Sequence, residues 1–193
     1  MIKKYFCSVH VILVTLAALV IFIMIFSGCY YNQASEEYIT IGAILPLTGE
    51  YSDDGIRAFN GLHLAKSEIN ENGGISGKKL DIIILDDKGE EDNMPALYHE
   101  LKSKGAGHII IRANMTQTLV HAAEIDGIRI ISPDESMLLF DASDPAAGNF
   151  VKNYLDIFAQ IPDAVSFAAY ECAKILAEEI KTGNGKTGGG VSG

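Results

Sequence analysis

Residues 38–80 read YITIGAILPLTGEYSDDGIRAFNGLHLAKSEINENGGISGKKL. Tyr38 to Leu45 is a short apolar run rich in β-branched residues and closed by Pro46, which predicts a buried strand. Thr48 to Gly55 carries turn residues and predicts a polar loop. Ile56, Phe59, Leu62, Ala65 or Lys66, and Ile69 then recur at helical spacing, with charges and amides between them. Gly73-Gly74 ends that helix, because glycine adopts the left-handed geometry of a helix terminus without steric penalty. A second strand is expected over Leu80 to Leu85, which completes a β-α-β unit.

The remaining chain extends the same alternation. Asp86 to Asp92 is an acidic loop, and a helix carrying Ala96, Leu97 and Leu101 inward follows, with Asp92 or Asn93 as cap and Pro95 in its first turn. His108 to Ile111 reads as the third strand, Thr118 to Ile125 as a short helix stopped by Gly127, and Ile128 to Ser132 as the fourth strand, stopped by Pro133. Strands alternating with helices at this spacing predict an α/β fold, an open parallel sheet with helices on both faces and right-handed crossovers. In such sheets ligands bind beyond the carboxyl ends of the strands. The candidate loops are therefore 46–55, 86–92, 112–117 and 133–137.

After Pro133 the pattern changes. Met137 to Ser143 has no partner strand, and Asp144-Pro145 opens a helix bearing Phe150, Val151, Tyr154, Leu155 and Phe158. Pro162-Asp163 opens another, with Val165, Ala168, Ala169, Cys172, Ile175, Leu176 and Ile180 at helical spacing. A Gly-rich tail occupies residues 183–193.

At the other end, Lys3 and Lys4 precede an apolar run from Val11 to Phe26, broken only by Thr15, and Ser27-Gly28-Cys29 follows. This is the layout of a secretory signal peptide over residues 1–28 with a polar tether over 29–37. A cysteine directly after Ser-Gly resembles the lipobox of prokaryotic lipoproteins, which makes Cys29 the expected lipidation site and new N-terminus. The alternative is an uncleaved helical anchor, but sixteen residues fall short of the roughly 20 a bilayer requires. Both place the folded part outside the cytoplasm.

A formal net charge of -10 argues against nucleic acid or an anionic membrane surface as the main partner. The residues past the leader suffice for one well-buried core. Three scattered cysteines make neither a disulfide framework nor a zinc site. Phosphate-cradling glycine loops, a Gly-x-Ser-x-Gly elbow and metal-ligand histidine spacing are absent from the sequence, so neither a cofactor nor an enzyme activity is expected. Asp86 and Asp87 are open to a reading as metal ligands or a phospho-acceptor pair and to a structural one, as part of a solvated acidic loop.

Ile41-Gly42-Ala43 through Pro46-Leu47-Thr48-Gly49, with Phe59-Asn60-Gly61, Ile69-Asn70, Gly73-Gly74-Ile75 and Gly77, resembles the Leu/Ile/Val-binding family. These are the type I periplasmic solute-binding proteins of branched-chain amino-acid ABC transporters. Asp86-Asp87 and Ile131-Ser132-Pro133 are similar as well, so the likeness runs from residue 38 to about 137. Asp144-Pro145, Phe150-Val151, Pro162-Asp163 and Ala169-Tyr170-Glu171 resemble a later, hinge-crossing segment of the family, here over residues 138–182. The resemblance implies essentially one lobe (residues 38–137) of a two-lobe fold, shortened internally and at its C-terminus.

The family fold implies a small-molecule ligand, an amino acid of branched-chain type, and a membrane permease as partner. By position in the family pattern, Ala113 stands where a ligand-binding serine is common, and Thr116 is the nearest hydroxyl. The Asp134 carbonyl and the Ser136 hydroxyl fall in the second ligand loop. Asp54 falls where an aromatic often packs on the ligand, with Tyr51 close enough to serve. The second-lobe carboxylate has no counterpart, so weak binding or none is expected. A single-lobe ligand-sensing or protein-interaction domain tethered to the membrane is the alternative.

Overall fold

Four parallel strands form one sheet in the order β2-β1-β3-β4. The computed structural model describes residues 14–19, 22, 37–112, 115–133, 137, 139–144 and 147–183. Strand β1 spans Tyr38–Leu45, β2 Lys79–Asp86, β3 His108–Ile111 and β4 Arg129–Ile131. Strand β1 is central and pairs with both β2 (Ile41↔Ile82, Leu45↔Asp86) and β3 (Ile41↔His108, Ile44↔Ile111). Crossovers are made by helices α1 (Ser52–Glu71), α2 (Met94–Ser103) and α3 (Gln117–Asp126), and helices α4 (Gly148–Phe158) and α5 (Ala164–Thr182) follow.

The period-2 geometry of the strands sends their side chains to two separate cores. Ile41, Ala43, Leu45, Ile110 and Ile131 face α1, α4 and α5. Ile44, Ile109 and Ile111 face Met94, Tyr98 and Leu101 of α2 and Leu119 and Ala123 of α3. Helices therefore cover both faces, as expected for a doubly covered parallel sheet.

Helix α1 buries Leu62 and Ala65 as expected and packs Ile69 against the core, but departs from its expected phase over its first turns. It begins at Ser52, inside the stretch expected to be loop, and its buried residues are Gly55, Ala58, Gly61, Leu62, Leu64 and Ala65. Ile56 and Phe59 instead lie 50% and 38% exposed. The inward side is built of small residues because a second helix crosses there at close range. A Cβ on Gly61 would sit 2.0 Å from the Ser166 carbonyl oxygen of α5. Side-chain size, and not apolarity alone, decides which face turns in. Helix α2 shows a similar correction: Ala96 is exposed and Leu97 half-buried, while Met94, Tyr98 and Leu101 are buried at i, i+4 and i+7 spacing.

Polar side chains fasten the elements. Asn70 at the end of α1 accepts from the Leu80 amide (2.7 Å) and donates to the Leu80 carbonyl (2.9 Å), so it acts as a strand partner at the start of β2. Glu68 accepts from Tyr170 Oη (2.6 Å) and Asn153 Nδ2 (2.8 Å), which ties α5 and α4 to α1. Asp163 caps α5 by accepting from the Ser166 amide (2.9 Å) in a capping box. Phe140, Phe150, Phe167 and Tyr170 pack with ring centroids 4.7–6.4 Å apart beneath these helices.

The chain divides into two units, Met1–Glu36 and Glu37–Gly193. In the first, residues 14–19 are helical and exposed, and Cys29 lies outside the described residues. Among the described residues no helix is long and apolar enough to cross a membrane.

Candidate functional site

The carboxyl ends of all four strands open into one cavity of about 450 Å³. Pro46, Tyr51 and Asp54 line it from the loop after β1 and the first turn of α1. Asp87, Gly89, Glu90 and Glu91 come from the loop after β2, Arg112 follows β3, and Ser132 and Pro133 follow β4. This is where side-chain chemistry can gather in an open parallel sheet, because the strand ends converge while the helices carry the chain back to the opposite edge.

Two of the loops are locked together by Asp86. Its carboxylate accepts from the Leu47 amide (2.8 Å), the Thr48 amide (3.2 Å), Thr48 Oγ1 (2.6 Å) and the Lys88 amide (2.8 Å). Burial pushes this carboxyl up, but those hydrogen bonds outweigh it and hold Asp86 below the usual carboxylate range. Its role is to clasp the loops. Asp87 is 3% exposed and accepts from the Gly89 amide at 2.8 Å. Burial, with the neighbouring Asp86 charge adding to it, pushes the Asp87 carboxyl above its ordinary value despite the Gly89 hydrogen bond. Among the described residues there is no group of three acidic, histidine or cysteine side chains that could hold a metal ion.

A line of alternating charges crosses the base of α1. Arg112 Nη2 lies 2.6 Å from Asp54 Oδ2. Asp54 also pairs with Arg57, whose Nε is 2.8 Å from Asp163 Oδ2 at the cap of α5. Burial pushes the Asp54 carboxyl up, and the Arg57 and Arg112 guanidiniums more than offset it, so the group is held below the usual range. Gly55 lets this turn of α1 press on the end of β1, since a Cβ there would meet the Pro46 carbonyl oxygen at 2.0 Å. Tyr51 stands 56% exposed at the rim, its ring edge across Gly89.

Of the expected ligand residues, Tyr51 lines the cavity and Thr116 does not. Thr116 is the N-cap of α3, its side chain accepting from the Leu119 amide at 3.3 Å. Ala113, Asp134 and Ser136 lie outside the described residues. Asp54, noted as standing in an aromatic's place, is the partner of Arg112. Arg112 itself was not singled out by sequence reading. Its signal, a basic residue immediately after an apolar strand, is weak until the carboxylate 58 residues earlier is placed beside it.

Comparison with known proteins gives concordant matches. A family model described as periplasmic binding protein matches residues 38–136, about half of the chain. The chain is 28% identical over 113 residues to the Leu/Ile/Val-binding protein of Escherichia coli K12, covering 55% of this chain and 31% of that protein. It is 48% identical over 52 residues to the Leu/Ile/Val-binding protein BraC3 of Rhizobium johnstonii, covering 27% and 14% of the two chains. Among solved structures, it is similar to the branched-chain amino acid transporter substrate binding protein LivJ of Streptococcus pneumoniae in complex with isoleucine. That match has 28% identity and a TM-score of 0.47, and covers 51% of this chain and 29% of that one. The match thus spans about a third or less of the length of these curated relatives.

Proposed function

Because the chain belongs to the periplasmic binding protein family, we propose that it is the solute-recognising component of an ABC transporter. It works outside the cytoplasm, takes a small amino acid of branched-chain type, and presents it to a membrane permease. It binds its solute and does not transform it. The observation that carries this reading is the cavity at the carboxyl ends of β1 to β4, lined by a loop from each. The relatives supply the ligand class: Leu/Ile/Val-binding proteins by name, one similar structure holding isoleucine.

The loops of this sheet supply contacts from one side of an amino acid and leave its charges partly hydrated, so weak binding by residues 1–193 is expected. The full chain, purified in mild detergent, should melt cooperatively. Its Tm should rise with millimolar leucine, isoleucine or valine, because ligand affinity for the folded state adds to stability. A cooperative melt that no amino acid shifts would remove the ligand from this reading. Attachment through a diacylated Cys29 is part of the same proposal. Cys29→Ser should then leave the precursor uncleaved and without the added lipid mass.

The exposed apolar side chains of α1 favour the second reading, a membrane-tethered domain that pairs with another chain. Phe59 stacks on His63, which meets the Phe158 edge, and Ile56 lies one turn before. Mass that rises with protein concentration would support it.

A further inference from the structure

We propose that Arg112 is the carboxylate-binding residue of the cavity, for a ligand that carries a carboxylate close to an ammonium group. The inference rests on the solute-binding reading and adds to it a contact that the family pattern did not supply.

Three features of the cavity point to it. Among the described residues that line the cavity, Arg112 is the cation, the others being four carboxylates and uncharged side chains. Its side chain is 20% exposed, and among the described residues Asp54 is its one carboxylate partner, through a single nitrogen. A guanidinium has five donors in a planar fork, so that bond fixes the plane and leaves donors for a second carboxylate. Asp54 is thus a positioning residue. It is itself held by Arg57, whose other partner, Asp163, is fixed as the cap of α5.

The second feature is the distribution of charge. Arg112 follows β3 on one flank of β1, while Asp87, Glu90 and Glu91 follow β2 on the other. Two strand spacings separate them, roughly 10 Å at the backbone, less the reach of the side chains. A simple anion would meet the carboxylates and a simple cation would meet Arg112. A zwitterion satisfies both flanks at once. Third, the Tyr51 ring and the rings of Pro46 and Pro133 give the wall apolar surface for an aliphatic side chain.

The test uses the full chain and three probes: L-leucine, 3-methylbutylamine, which lacks the carboxylate, and 4-methylpentanoate, which lacks the ammonium. Each is titrated into wild type, R112A and R112K by calorimetry and by thermal shift, with far-UV circular dichroism as the check of folding. Wild type should take leucine at least tenfold more tightly than either fragment. R112A should lose leucine binding. R112K keeps the charge but not the fork, and should weaken it at least about tenfold with an unchanged melt. It carries the test if R112A does not fold. Leucine binding within twofold of wild type in R112K and R112A would overturn the role of Arg112 and leave the solute-binding reading standing. Binding of 4-methylpentanoate alone, lost in R112K, would keep the carboxylate contact and overturn the amino-acid reading and the zwitterion. No response to any probe would overturn both.

Discussion

The two faces of the sheet are covered by different routes. On one, α2 and α3 are themselves crossovers, and their residues meet Ile109 and Ile111 of β3, which both helices join, and Ile44 of β1. On the other, α1 is a crossover but α4 and α5 come from beyond residue 147, and the packing is aromatic and small-residue in character. The first face is encoded locally. The second depends on a fit between segments roughly a hundred positions apart, with Gly61 against Ser166 and Glu68 against Tyr170 as its markers. Where two helices cross as closely as at Gly61, side-chain size outweighs the apolar period in choosing the inward side.

The largest effect is expected where the second face admits no side chain. Gly61→Leu must displace the α5 backbone and should lower stability by at least about 3 kcal/mol. Urea unfolding followed by circular dichroism, with hydrogen exchange at the α5 amides, measures it. Loss of protection in α5 with strands still protected would separate the faces energetically, and a change under about 1 kcal/mol would mean the seam is not formed. Leu101→Ala is the matching change on the first face. It removes a fully buried side chain and should cost about 3 kcal/mol in a single cooperative transition. Biphasic unfolding in this variant would break the picture of a locally encoded face.

A smaller effect is expected at Glu68, which holds α4 and α5 through hydrogen bonds. Glu68→Ala leaves Tyr170 Oη and Asn153 Nδ2 without this acceptor, and should lower stability by about 1–3 kcal/mol. The smallest belongs to the cavity end. The raised folded-state pKa of Asp87 means that its ionised form opposes folding above the ordinary carboxylate pKa, and that the penalty fades as pH falls below it. Asp87→Asn keeps an oxygen for the Gly89 amide and removes the charge. Its Tm should exceed wild type by about 2–4 °C at pH 7, and the gap should close near pH 3. An equal gap at both pH values would rule out the charge as its cause.

The β-α-β unit was legible because three independent signals agreed over residues 38–80: β-branched runs, helical spacing, and Gly73-Gly74 with φ of 90° and 72°. The first turns of α1 were not, since Ala58 and Gly61 carry little apolar signal and Ile56 and Phe59 carry much, whereas Leu62 and Ala65 lie inward as read. The loops of the cavity were legible from strand order alone. The Arg112–Asp54 pair was not, because no local pattern joins residues 58 apart. Thr116, expected as a ligand hydroxyl, is instead the N-cap of α3, because the first turn of that helix leaves the Leu119 amide in need of an acceptor.

The seam at Gly61 and Ser166 also sets an order in time. A chain made from its N-terminus completes the four strands and three crossovers before any of α5 exists. Until then the small-residue groove of α1 faces water with nothing to fill it, and closing it requires a loop of about a hundred residues to be drawn shut. Of the described helices, α5 is therefore the last to be made and to dock. That interval ends only when Ala164–Thr182 has emerged and wound against the helix waiting for it.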